Sequence, residues 1–526
     1  MAMRHNAKST SRLEWSRRQF LAFSAAMPTF VLSAQHAFGD EGISFPTNPF
    51  TLGVASGDPE QHSVVLWTRL APSPLELHGG MPARPVPVSW EIAADESMRA
   101  VVSAGSQLAT PQLGHSVHVE VDQLEPDRWY WYRFRCGDAV SPIGRTRTMP
   151  RPQSLPERVR FGVTSCQNYE QGLFSAYEQM ARDELDLVFH LGDYIYEHEA
   201  GRDGQVRTHH GKEIVSLTDY RIRYAQYRLD PLLQQIHAQC PWVVTWDDHE
   251  FDNNYAGAVS EEDVDPVEFL VRRANAYQAY YEMMPLRLRN MPRDSDMRLY
   301  RTSSFGQLAE FLVLDTRQYR SDQPNGDHAS PLNDAALSPQ QTMLGTKQKG
   351  WVCRNLIRST ATWNVLAQQV MMGMVNRSED PGNPSYSMDQ WPGYVHERMR
   401  LIEFIRDRQI SNPVVLTGDI HSNWVNELRV DDRRHDEPTI ATEFVATSLS
   451  SGGNGPQRPA NLDATLSANP CVKFHNGERG YIRCDVTPQK WRADYMVVDD
   501  VLKPGGQTFT RASFVVESGT ARANLA

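Results

Sequence analysis

Long apolar runs are missing from this chain. No stretch reaches the roughly 20 residues that would cross a bilayer, which argues against an integral membrane protein. A basic excess is missing too. Its 526 residues hold 53 Lys and Arg against 64 Asp and Glu, a formal net charge of −11. Non-specific nucleic-acid binding wants the opposite sign, so no nucleic-acid-binding patch is expected. Cysteine is sparse: Cys136, Cys166, Cys240, Cys353, Cys471 and Cys484 match neither a zinc ribbon nor a small disulfide framework. Cys471 and Cys484 are close enough in sequence to pair, and two unpaired thiols fit equally well. Internal repeats and low-complexity tracts are absent.

What is present is ordinary folded-protein texture, 40% hydrophobic and 22% charged, at a length that suits two or three domains. The first 37 residues form a targeting segment to set aside before any fold argument. Arg4, Lys8 and Arg12 lead into Ser16-Arg17-Arg18-Gln19-Phe20-Leu21 and then a mildly apolar stretch to Ala34. That order resembles a twin-arginine export signal. It predicts passage through the twin-arginine translocase to the periplasm or beyond the cell. Cleavage is expected near Ala34 or at Ala37-Phe38-Gly39. Removing residues 1–37 takes away five basic residues and one acidic residue and leaves a net charge of −15. An acidic surface does not exclude an anionic substrate, because a bound metal reverses the field locally.

Residues 50–148 have all-β texture. Short runs such as Ser63–Leu70, Val86–Ile92, His115–Val121 and Trp129–Arg135 are divided by Pro, Gly and Asp, the pattern of a β-sandwich domain. The aromatics on both faces of Trp129–Phe134 read as core and domain-interface packing. Pro150–Pro156 reads as a linker. Residues 158–526 form the second domain. Apolar strands ending at Cys166, Asp193, Asp247, Asp315 and Asp419 alternate with helices expected at 173–182, 218–239, 338–358 and 395–408. The last helix but one is expected to start at a Ser338-Pro339 cap. Continuous apolar strands between helices indicate α/β layers with sheets covered on both sides. Three late strands, 479–486, 491–498 and 513–517, read as a terminal sheet.

The chemistry sits where these strands end, the usual place for a site in layered α/β folds. One strand ends in Cys166-Gln167. The next ends in Asp193, with Tyr196 three residues on. A third gives Asp247-Asp248-His249-Glu250, and a fourth gives Asp419 and His421. Each fragment alone has an ordinary reading: Gly-Asp as a turn, a buried histidine as a satisfied core group, a buried cysteine as packing. Their coincidence is what argues, since several acids buried together need a counter-charge. A multivalent cation supplies one. Thiolate, phenolate and imidazole together suit iron, and carboxylate and amide oxygens suit calcium, magnesium or manganese. The pattern suggests a mixed pair: one metal with Cys166, Tyr196 and His421, another with Asp248, Asp419 and Asn254, and Asp193 between them. His249 is placed to donate a proton to a phosphoryl oxygen or leaving group. Two adjacent metals suit phosphoryl transfer.

These residues carry a resemblance. Gly53-Val54-Ala55-Ser56-Gly57-Asp58-Pro59, Val65–Arg69, Ser165-Cys166-Gln167, His190–Glu197, Trp246–Glu250, Asn253–Ala256 and Gly418-Asp419-Ile420-His421 run in the order seen in the PhoD-like alkaline phosphatases. That family lies within the calcineurin-like metallophosphoesterases. The resemblance implies a four-layer α/β/β/α metallophosphoesterase domain behind an immunoglobulin-like β-sandwich. It implies Fe3+ with one or two Ca2+, the iron held by Cys166, Asp193, Tyr196 and His421. Asp247, Asp248, Asn254 and Asp419 match calcium-side positions, and which of the adjacent aspartates binds directly stays open. Where the wider superfamily has Asp-x-His and Gly-His-x-His, this chain has Cys166-Gln167 and Gly418-Asp419-Ile420-His421.

The activity so implied is hydrolysis of phosphate monoesters, and of diesters, by an exported monomer. His249 and Asp193 are its catalytic residues. A phospholipase D-like diesterase on the same scaffold is the rival, because the pocket and not the metal selects the leaving group. A purely structural metal site behind a surface-binding sandwich is disfavoured, since structural sites are closed by protein ligands. Arg317, Arg320, His396 and Arg398 follow core strands and are expected to be solvated surface charges.

Overall fold

The computed structural model describes residues 45–204, 206–378, 380 and 382–526. The export signal expected over residues 1–37 lies outside them. The first strands are β1 (Val54–Gly57), β2 (Val64–Arg69), β3 (Val86–Ala93), β4 (Val101–Ala109), β5 (Ser116–Val121), β6 (Trp129–Cys136), β7 (Ala139–Val140) and β8 (Gly144–Arg147). The middle of the chain supplies β9 (Val159–Thr164), β10 (Leu187–His190), β11 (Trp242–Val244), β12 (Arg301–Phe305), β13 (Ala309–Val313), β14 (Trp363–Ala367) and β15 (Pro413–Thr417). The last are β16 (Asn423–Leu428), β17 (Ala441–Val445), β18 (Val472–Asn476), β19 (Gly480–Val486), β20 (Lys490–Val498), β21 (Thr508–Glu517) and β22 (Ala523–Leu525).

They build three sheets. The largest runs β22-β21-β20-β19-β9-β10-β11-β1-β2-β5, the second β12-β13-β14-β15-β17-β16-β18, and the third β4-β3-β6-β7 with β8 on β6. At the centre of the largest, β9, β10 and β11 are parallel. In the second sheet β13, β14, β15 and β17 are parallel. Phe161, Val163 and Phe189 of the first sheet meet Phe311, Val365 and Leu416 of the second in one apolar core. The two sheets therefore stack face to face.

Helices cover both outer faces. On one side lie α1 (Ala176–Met180), α2 (Leu217–Arg228), α3 (Pro231–Gln239) and α4 (Pro266–Met283), whose Tyr224, Leu233 and Tyr277 pack with Val188 and Val244. On the other lie α5 (Gly345–Arg358) and α6 (Val395–Asp407), whose Val352 and Ile402 pack with Leu312 and Val415. A short α7 (Leu462–Ala468) follows. This is the expected α/β/β/α order, with the third sheet completing an N-terminal β-sandwich. β1, β2 and β5 of that sandwich continue the largest sheet beyond β11, joined at Gly57 and Trp242.

Three expectations change in detail, and the alternative left open for Cys471 and Cys484 resolves to two free thiols. The helix read as 218–239 is two. Asp230 accepts from Leu232 and Leu233 N–H as an N-cap and Pro231 opens α3, because proline cannot continue a helix interior. The Ser338 cap builds a turn instead, its Oγ accepting from Gln340 N–H at 3.2 Å, and α5 begins at Gly345. The late strands are no separate sheet, since β19 pairs antiparallel with β9 from Val486–Val159 to Ile482–Val163. Cys471 and Cys484 are unbridged; Cys484 lies on β19 of the largest sheet, while Cys471 directly precedes β18 of the second.

Candidate metal centre

The parallel strands of both stacked sheets bring their carboxyl ends to one place. After β9 come Ser165 and Cys166, after β10 Gly192 and Asp193, after β11 Asp247 and Asp248, and after β15 Gly418 and Asp419. The sheets touch here. Gln369, two residues beyond β14, donates to Thr245 Oγ1 and to Leu314 O, both at 2.9 Å. A Cβ on Gly418 would lie 2.7 Å from Ser165 Oγ.

The backbone is held in an uncommon form at this place. Cys166 (φ 57°), Asp193 (φ 56°), Asn254 (φ 49°), Asp419 (φ 65°) and His421 (φ 55°) all occupy the left-handed region. Non-glycine residues there cost free energy and persist where surrounding structure dictates them, which is common at functional sites. Gly192, at φ 110°, has no room for a side chain: a Cβ would collide with the Asp247 backbone and Cβ. Glu250 ties the loops together by accepting from Asp193 N–H (2.9 Å), Tyr194 N–H (2.7 Å) and Asp247 N–H (2.8 Å). Burial, and then the charge of Asp193, push Glu250 up to about 8.

Eight of the nine residues expected from the sequence meet in three overlapping sets. Cys166, Asp193 and His421 offer ligand atoms all within 4.8 Å of one another; so do Asp193, Asp248 and His249, and so do Asp247, Asp248 and Asp419. Tyr196 joins the first set, its hydroxyl donating to Asp193 Oδ2 at 2.9 Å and lying 3.2 Å from His421 Nε2. Asn254 is the ninth. Its backbone N–H donates to Asp248 Oδ2 at 2.8 Å, while its amide Nδ2 turns to Asp327.

Electrostatics favour a cation at this place. Burial, then the neighbouring Asp193, push the Cys166 thiol and Tyr196 phenol well above their ordinary values. Burial also raises Asp247 against the pull of Arg317. In Asp248 burial is outweighed by Arg317 and His249, and its carboxyl stays ionised. Asp247 Oδ2 is buried with no hydrogen-bond partner. An orphaned carboxylate oxygen amid thiol, phenol, imidazole and three more carboxylates is a donor set that a multivalent cation would satisfy. The residues present fit a metal.

Three functional side chains escaped the sequence reading. Glu197 Oε2 lies 2.7 Å from His249 Nδ1, and Oε1 accepts from Asn253 N–H. Burial acts to lower the His249 pKa, but Glu197, Asp248 and Asp193 outweigh it and hold the imidazole protonated well above its ordinary range. Glu197 sits in the Asp193–Glu197 run, so proximity in sequence was a usable signal. Arg317 corrects an expectation: it is fully buried, not a surface charge. Its guanidinium binds Asp247, reaches Asp419 Oδ1 at 2.8 Å and meets Asp389 at 3.0 Å. Asp389, the third, is shared with Arg320. Arg320 and Arg398 are buried as well, Arg398 against Asp432, and His396 alone of the four is exposed. Their partners lie 34 to 102 residues away, beyond what local pattern can reveal.

Comparison with known proteins shows the family. A family profile described as PhoD-like phosphatase matches residues 161–495, and one described as its N-terminal domain matches residues 36–150. Alkaline phosphatase D of Bacillus subtilis (strain 168) is 51% identical over 478 residues, covering 90% of this chain and 82% of that protein. A solved structure of PhoD superposes with a TM-score of 0.90 at 50% identity, covering 92% of this chain and 93% of that one.

Proposed function

The chain belongs to the PhoD-like phosphatase family and is a phosphoric ester hydrolase, and from that premise we propose that its reaction runs at the strand-end cluster between the two stacked sheets. The observation that carries this reading is that Asp193 lies within 4.8 Å of Cys166 and His421 on one side and of Asp248 on the other. One shared carboxylate suits two neighbouring cations. On this reading Cys166, Asp193, Tyr196 and His421 would hold Fe3+, and Asp247, Asp248, Asn254 and Asp419 would hold one or two Ca2+. When bound, such cations neutralise phosphoryl charge and lower the pKa of the attacking water.

The chain's own groups do the rest. His249 is the acid that protonates the leaving oxygen. Its Nδ1 is engaged by Glu197, which leaves Nε2 as the nitrogen able to donate. Glu197 is a positioning residue that fixes the ring and favours its charged form. Arg317 spaces the carboxylates of Asp247, Asp419 and Asp389 so that they do not repel one another into the solvent. Glu250 holds the Asp193 and Asp247 loops through backbone N–H groups.

Hydrolysis of p-nitrophenyl phosphate beside bis-p-nitrophenyl phosphate, before and after chelation, tests the proposal. Chelator-sensitive monoester turnover exceeding diester turnover is the expected result. A diester preference would move the assignment to a phosphodiesterase of the phospholipase D type. Turnover untouched by exhaustive chelation would remove the metals from the reading.

Among the described residues no helix is long and apolar enough to cross a membrane. The Arg17-Arg18 motif supports export by the twin-arginine route to the periplasm or beyond. Paired Arg17→Lys and Arg18→Lys substitutions should hold the protein in the cytoplasm on fractionation.

A further inference from the structure

A second cavity, of about 250 Å³, opens beside the cluster, and its walls include Ile420 and Ser422, the residues on either side of His421. Across from them stand Arg377, Trp424 and His475. The Trp424 and His475 rings stack at 3.5 Å with 15° between their planes, and Trp424 Nε1 donates to Ser422 Oγ at 2.8 Å. The stack therefore presents one flat, fixed wall. Desolvation pushes His475 down to about 4, so at neutral pH it adds no charge. Among the described residues lining the cavity, Arg377 is then the one that is formally charged.

Arg377 differs from the buried arginines of the metal centre. It is exposed to solvent, and among the described residues no carboxylate pairs with it. Its Nη2 donates to Gln390 Oε1 at 3.1 Å, and Gln390 Nε2 donates in turn to Asp419 Oδ2 at 3.1 Å. One amide thus links this guanidinium to a carboxylate of the cluster. Arg317 and Arg320 are already engaged by Asp389. Arg377 retains donors for an outside anion, in the fork geometry that suits carboxylate and phosphate.

We propose that this cavity is the leaving-group subsite, and that it selects esters whose alcohol half carries a second anionic group, a carboxylate or a phosphate, paired with Arg377. The scissile phosphorus lies at the cluster, and the alcohol half extends along Ile420–Ser422 with its apolar face on the Trp424–His475 wall. Arg377 is a specificity-determining residue here. The proposal rests on the phosphoesterase reading above.

The test compares phenyl phosphate with 4-carboxyphenyl phosphate and 1,4-phenylene bisphosphate on the full metal-replete chain, its Arg377→Met variant and its Arg377→Lys variant. For each protein the ratio of kcat/KM on a substrate with an anionic alcohol half to that on phenyl phosphate is read. Arg377→Met should lower that ratio about tenfold, chiefly through KM, for at least one of the two anions. The larger loss names the preferred anion. Arg377→Lys should recover part of it, as a charge without the fork. Ratios unchanged in Arg377→Met overturn the subsite while leaving the phosphoesterase intact. No turnover of any of the three esters by the wild-type chain overturns the monoesterase reading and the subsite with it.

Discussion

At the scale of single residues, the centre works by over-determination. Five expected site residues sit at positive φ, each held by neighbours more than by its own preference. Glu197 shows how far that holding extends. It lies outside the three sets that hold the aspartates, yet it grips His249 Nδ1 at 2.7 Å. Glu197→Gln keeps the shape and removes the charge. We predict a 10- to 100-fold fall in kcat with little change in KM or in the urea midpoint. Wild-type kcat in a folded Glu197→Gln protein would remove Glu197 from the mechanism. The candidate ligand residues that the fold brings together were legible in the sequence, because strand ends carry recognisable residue types at short spacing. Arg317 was not. A charged residue two positions after Asp315 looks like a solvated loop until Asp247, Asp389 and Asp419 are brought around it.

At the scale of elements, the catalytic strands depend on pieces that arrive last. β9, which leads into Cys166, is bordered on one edge by β19 from the C-terminal part of the chain. β20 beside it brings Trp491, fully buried, to within 5.5 Å of the Phe161 ring and 5.8 Å of Trp363. Trp491 therefore joins the two stacked sheets at the far side of the core from the site. Trp491→Ala should cost about 3–5 kcal/mol, the range for large-to-small changes in such cores. A lowered urea midpoint at unchanged slope measures it, and a shift below 1 kcal/mol would deny Trp491 that role. The strands themselves were legible as apolar runs, but their partners were not. A run such as Gly480–Val486 reads as a strand anywhere, and only its pairing with Val159–Val163 reveals where it belongs. Helix boundaries followed the same rule. Asp230-Pro231 did carry a readable stop and start, whereas Ser338-Pro339 was a capping signal that tertiary contacts turned into a loop: Ser321 Oγ accepts from Thr342 N–H.

At the scale of the whole molecule, the interior fixes how stability responds to pH. His190, His209 and His237 are buried. Desolvation lowers His190 and His209 to about 3 and His237 well below its ordinary value. In the unfolded chain each takes up a proton near pH 6.5. The folded values are depressed, so the full contribution is present above pH 6.5. It is lost as pH falls from 6.5 toward 3, because only the unfolded chain gains protons in that window. Each histidine contributes up to about 1.4 kcal/mol per pH unit there. These histidines should make thermal midpoints drop steeply below pH 6.5. His190→Phe should make the decline shallower, since His190 stacks on Trp242 and both its ring nitrogens lack partners. A midpoint flat down to pH 5 would contradict this account.

The sequence by itself determined the layered α/β class, the order of apolar strands and the chemical types at their ends. Those depend on local periodicity and on residue identity at spacings of a few positions. It also carried the family's motifs from Gly53 to His421. Only the tertiary structure decided that β1, β2 and β5 extend the catalytic sheet, that β19 borders β9, and that Arg317 is a buried counter-charge. It alone placed Arg377 in a cavity beside His421. The reason is the range of the interactions. Hydrogen bonding between strands and pairing of charges act in space over a few ångströms, and they join residues tens to hundreds of positions apart, where no local pattern records the partner.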